Sequence, residues 1–95
     1  MEINDLRVTN VQKNSLTLLW LSGKNGNSHI PMREYKIFQN NTVVDSIGAS
    51  NHRYDISGLE PETLYHFFLK ETEFTSTENE RVVGTSNIVL VQTKA

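Results

Sequence analysis

An all-β fold of two packed antiparallel sheets is the architecture this sequence predicts, and three observations predict it. Apolar residues recur at every second position over short runs, the period of a strand with one buried face and not of a helix. Turn-forming residues interrupt those runs about every ten residues, the rhythm of a sandwich. The third observation is a bend, Leu59-Glu60-Pro61-Glu62-Thr63-Leu64-Tyr65. Pro61 fixes its own φ and pushes Glu60 toward extended conformations, so the chain must turn there. A tyrosine placed where a bend feeds a strand buries its ring and returns its hydroxyl to upstream backbone, which ties the loop to the core.

The elements follow in order. Residues 3–11 carry Leu6, Val8 and Val11 between polar residues, a first strand with a register slip near Thr9-Asn10. Residues 15–20 form a second, sharper one, with Leu16, Leu18 and Trp20 on one face and Trp20 at the centre of the core. Residues 22–29 are rich in Gly, Asn and Ser, which tolerate positive φ or bond their own backbone, so they form a loop. Ile30-Pro31 leads out of it. In residues 33–39, Tyr35 and Ile37 face inward while Glu34, Lys36 and Phe38 face out. Asn40-Asn41 then suits a two-residue turn in left-handed geometry, and residues 42–47 return as an edge strand.

Residues 48–51 break the pattern, and residues 53–56 resume it with Tyr54 and Ile56 toward the core. Ser57-Gly58 turns into the bend. Beyond it Tyr65, Phe67 and Leu69 face inward, alternating with His66, Phe68 and Lys70. Residues 72–85 have no clean period and read as a long loop whose base extends the flanking hairpin. The last strand, residues 87–93, puts Val89 and Val91 inside and Ile88 and Leu90 outside. Seven strands result.

At 95 residues the chain is a single domain, residues 1–95, large enough to bury about 60% of its unfolded surface. With no cysteine there is no disulfide and no thiolate ligand, so apolar packing does the stabilising. Net charge is -2 and the basic residues are scattered, which argues against a nucleic-acid partner. No apolar run approaches the ~20 residues of a membrane span, so insertion into a membrane is not expected. The start, Met1-Glu2-Ile3-Asn4-Asp5, lacks the order of a signal peptide, which leaves either use without secretion or excision from a longer protein. Asn40-Asn41-Thr42 is a sequon short enough to arise by chance.

With its strands laid out, the chain resembles a fibronectin type III domain over essentially its whole length. The features that carry this are Leu6-x-Val8, Ser15-x-x-Leu18-x-Trp20, Tyr35-x-Ile37, Leu59-x-Pro61-x-Thr63-x-Tyr65-x-Phe67 and Ser86-Asn87-x-Val89-x-Val91-x-Thr93. The resemblance implies a seven-stranded, immunoglobulin-like β-sandwich with sheets of three and four strands sharing Trp20 and Tyr65. It also implies a non-enzymatic module serving as spacer, adhesive surface or docking platform. The Asn and Thr usage and the closing strand look like bacterial or phage members, and the Arg-Gly-Asp of some animal members is absent.

No catalytic, cofactor-binding or metal-binding residues are expected. His29, His52 and His66 are dispersed, without the spacing that lets one cation collect them. Glu71, Glu73, Glu78 and Glu80 read as a charged, exposed loop, since a calcium cage needs more oxygens on a tighter turn. The candidate site is a surface: alternation places Phe38, Phe68, Ile88 and Leu90 on the outward side of the four-stranded sheet, where an apolar patch invites a partner. Lys36 and Lys70 stand beside it, with alkyl stems able to lie over the rings. The partner expected is a protein or a neighbouring domain, with a carbohydrate as a lesser alternative. The role expected is spacer or interaction module of a bacterial surface or secreted multidomain protein, and so an extracellular or cell-surface setting. The alternative is a free-standing structural or decoration protein of a phage virion.

Overall fold

The computed structural model describes residues 6–21, 32–48, 51–74 and 80–95, all of it strand, turn and connecting backbone. The strands are β1 (Arg7–Thr9), β2 (Leu16–Leu19), β3 (Met32–Gln39), β4 (Thr42–Gly48), β5 (Arg53–Ile56), β6 (Leu64–Phe74), β7 (Glu80–Thr85) and β8 (Val89–Gln92). β1-β2-β5 form the smaller sheet, and β4-β3-β6, with β7 and β8 both on β6, form the larger one. All pairings are antiparallel. β8 pairs with the first part of β6 and β7 with the last part. The two are one edge strand broken at Ser86-Asn87-Ile88, and counted so the strands among the described residues number seven.

Local chemistry sets the boundaries. β1 ends where Asn10 takes φ 52, and its ladder with β2 is regular from Arg7↔Leu19 to Thr9↔Thr17, so the register slip expected near Thr9-Asn10 is not found there. Asn40 and Asn41, at φ 50 and 71, make the two-residue turn between β3 and β4, whose twist matches the strands it joins. Gly58 at φ 73 turns the chain into the bend, where a side chain would be strained. In the bend Glu62 also has positive φ, at 52.

The core lies between the sheets. Leu6, Leu16, Leu18, Trp20, Tyr35, Ile37, Ile56, Leu59, Tyr65, Phe67 and Leu69 are buried, with Val8, Val11, Tyr54, Val89 and Val91 packed around them. The alternation read in β2, β3, β6 and β8 is therefore the alternation observed. Trp20 meets Tyr35 edge to face at 5.4 Å, a geometry that suits the ring quadrupoles. Tyr65 closes the bend: its hydroxyl accepts the Glu60 N–H at 2.9 Å.

One expectation is overturned. Residues 72–85 are not a long loop, because β6 runs on to Phe74 and β7 starts at Glu80, paired from Phe74↔Glu80 to Lys70↔Thr85. A bulge between Glu71 and Thr72 shifts the register, which hides the period of two from a reading of the sequence. The loop expected over residues 22–29, Ile30-Pro31 and residues 75–79 lie outside the described residues.

Candidate functional site

The residues singled out on the outer face of the larger sheet are held there by register. β3 and β6 place Phe38 directly opposite Phe68, with Lys36 opposite Lys70 one outward pair along. The two phenyl rings stack at 4.6 Å and 7° between planes. The His66 ring lies parallel to that of Phe68 at 6.4 Å, and over Phe38 the Lys70 ammonium sits 5.3 Å from the ring centre. Both phenylalanines are half-buried, and what lies over Phe38 is the Lys70 ammonium.

Ile88 and Leu90 are wide open, 62% and 70% exposed. Leu90 faces His66 across the β6–β8 pair, and Ile88 falls in the break between β7 and β8. Two members of this face escaped sequence reasoning. Leu64 shares the parity of His66 and Phe68 and is 62% exposed, and Val43 is paired with Phe38. Both were legible: the first from alternation, the second from a two-residue turn that sets Gln39 against Thr42 and hence Phe38 against Val43.

The opposite outer face, on the smaller sheet, is polar. Asp55 accepts the Thr17 hydroxyl at 2.7 Å and lies 3.4 Å from Arg53. The Thr17 hydrogen bond, helped by the Arg53 charge, holds the Asp55 carboxyl below its ordinary range. Between the sheets, the Tyr54 hydroxyl of β5 donates to Asp45 of β4 at 2.6 Å. That hydrogen bond first, then partial burial and the carboxylate charge, pushes the phenol up to about 12.

The acidic residues expected in an exposed loop are placed otherwise. Glu71 and Glu73 belong to β6 and meet cations: Arg33 reaches Glu71 at 2.9 Å, and Arg81 reaches Glu73 at 3.0 Å. The Glu71 side chain is only 3% exposed and that of Arg33 14%, so this pair is shielded from water at one end of the sandwich. Glu78 and His29 lie outside the described residues, and Glu80 begins β7. Among the described residues no three of His, Cys, Asp and Glu converge as metal ligands. No helix among them is long and apolar enough to cross a membrane.

Comparison with known proteins agrees with this geometry. A family model of the fibronectin type III domain matches residues 2–85. No curated protein matches the chain in sequence. Among solved structures, the central fibronectin-III array of a RIM-binding protein matches with TM-score 0.70 and 20% identity, over 94% of this chain and 30% of that one. A Family 28 exopolygalacturonase of Yersinia enterocolitica matches with TM-score 0.72 and 15% identity, over all 100% of this chain and 20% of the enzyme. The FN5 domain of Drosophila Lar matches with TM-score 0.60 and 16% identity, over 99% of this chain and 96% of that one. The chain thus spans less than a third of the first two proteins.

Proposed function

This chain belongs to the fibronectin type III family, and from that premise we propose that it is a non-catalytic module of a larger polypeptide, spacing its neighbours and offering them a docking face. The observation that carries the spacing role is the course of its two outermost segments. The Asn87 side chain bonds both backbone groups of Leu6, accepting at 3.0 Å and donating at 3.1 Å, and the Lys94 N–H donates to the Gln12 carbonyl at 3.1 Å. Residues 6–12 and 87–94 therefore run side by side in the same direction. Leu6 and Ala95 come to lie at opposite ends, separated by roughly 23 Å of extended chain, so copies joined in series would stack end to end.

We place the module in a bacterial surface or secreted protein. Supporting this are the Asn and Thr usage of the sequence and the same fold recurring as a fifth of a Yersinia enzyme. The test of spacing is small-angle scattering on one, two and three tandem copies. Each copy should lengthen the particle along one direction, by no more than the long axis of the domain, 46 Å. Compact particles that grow equally in all directions would overturn it.

A docking role is favoured by the exposure of Ile88, Leu90 and Leu64 around the Phe38–Phe68 stack. Apolar groups at that density on a soluble surface are characteristic of contact sites. Peptides selected from a random display library against the domain should map to Phe38, Phe68, Ile88 and Leu90, and Phe68→Asp should abolish their binding while the domain still melts cooperatively. Selected peptides that map elsewhere, or that survive Phe68→Asp, would remove this face from the function.

A further inference from the structure

Asn40-Asn41-Thr42 is the one Asn-x-Ser/Thr sequon of the chain, and its place in the fold sets it apart from a chance occurrence. The three residues carry the hairpin turn from β3 into β4, with Asn40 and Asn41 at φ 50 and 71, and all three are exposed. Asn40 is nonetheless fixed. Its N–H donates to the His66 carbonyl at 2.9 Å, and its Oδ1 accepts the His66 N–H at 2.9 Å. The side chain is thus held by its oxygen, and among the described residues neither Asn40 Nδ2 nor the Thr42 hydroxyl has a hydrogen-bond partner. Those are the two groups that N-glycosylation uses: the amide nitrogen carries the sugar, and the hydroxyl two residues on is what the transferase recognises. An oligosaccharide on Nδ2 costs the fold no hydrogen bond, since Oδ1 keeps its bond to His66.

The turn also adjoins the docking face. Asn40 continues the β3 ladder opposite His66, and His66 pairs in turn with Leu90. Asn40 therefore lies one outward pair, about 7 Å, along the strands from the Phe38–Phe68 stack, and two strand spacings, about 10 Å, from Leu90. Val43, three residues on, is paired with Phe38. A hydrated oligosaccharide of several sugars rooted at this corner is long enough to overhang the whole row.

We propose that Asn40 is an N-glycosylation site and that its oligosaccharide controls the docking face, so that a glycosylated copy only spaces its neighbours while a bare copy also binds. In the transfer, Nδ2 attacks the anomeric carbon of a lipid-pyrophosphate-linked oligosaccharide. The C–N bond forms as the C–O bond to pyrophosphate breaks, the lipid pyrophosphate leaves, and one amide proton passes to a base of the transferase. This rests on the secreted setting and the docking surface proposed above, and it adds a covalent regulator to them.

The test produces the chain behind a secretion leader in a eukaryotic host that transfers N-linked oligosaccharides, and separately in bacterial cytoplasm. Intact-mass analysis of the secreted chain should show one added oligosaccharide, assigned to Asn40 by peptide mapping. It should be absent from Asn40→Gln and from Thr42→Val, the second of which keeps Asn40 and its bond to His66. The display-selected peptides should bind the bare domain, fail to bind the glycosylated one, and bind again once a glycosidase has removed the sugars. A secreted chain without sugar at Asn40 overturns the inference and leaves the docking surface standing. A glycosylated domain that binds the peptides as well as the bare one does overturns the control of the face. If no selected peptide maps to the face of the bare domain, the docking reading falls, and the control with it, whatever Asn40 carries.

Discussion

Tyr65 is the residue on which the bend depends. Its ring is buried beside Phe67, at 6.1 Å between centres, and its hydroxyl satisfies the Glu60 N–H. Tyr65→Phe keeps the ring and strands that donor, so it should cost about 1 to 2 kcal/mol in urea unfolding with little change in slope. A cost near zero would mean that water replaces the hydroxyl. Tyr54 offers a second test, in alkaline solution. Its phenol titrates near 12 when folded against an ordinary 10.0, so the stability it contributes is complete below pH 10 and lost as pH rises through 12. The melting temperature of the wild type should fall across that interval, and Tyr54→Phe should flatten the difference. Both tyrosines were read from the sequence as core-facing. The Tyr54–Asp45 bond was not legible, because it joins the edges of two different sheets.

At the scale of elements, periodicity revealed the strands wherever the ladder is regular. Leu16 and Leu18 on β2, Trp20 just beyond its end, and Tyr65, Phe67 and Leu69 on β6 are all buried as their spacing demands. Where a bulge interrupts the ladder the signal fails, and the continuation of β6 through Thr72 and Glu73 has the sequence pattern of a loop. Composition misled as well. Glutamates look solvent-bound until their partner is known, and Arg33 lies 38 residues from Glu71 along the chain. The pair makes its own prediction. Arg33→Met should leave the Glu71 charge shielded and unpaired, destabilising the domain by about 3 kcal/mol, whereas Arg33→Met with Glu71→Leu should recover most of that loss in chemical denaturation. The outer face sits between these cases: Phe38, Phe68, Ile88 and Leu90 were placed outward by alternation alone, while the ring stacking and the Lys36–Lys70 opposition needed the register between strands.

For the molecule as a whole, fold class and family were legible because every local choice agrees: bend, turns and alternation all specify one sandwich. Orientation of the ends was not, since it rests on Asn87 reaching across to Leu6. That bridge has a mechanical consequence. Tension applied between Leu6 and Ala95 would slide residues 6–12 against residues 87–94, loading their cross-links together in shear instead of peeling them apart one by one. The domain should therefore resist pulling up to a threshold and then give way abruptly, and Asn87→Ala should lower the rupture force in single-molecule stretching more than it lowers the melting temperature. A tether built from such units would stay at fixed length under light load and yield one unit at a time under heavy load.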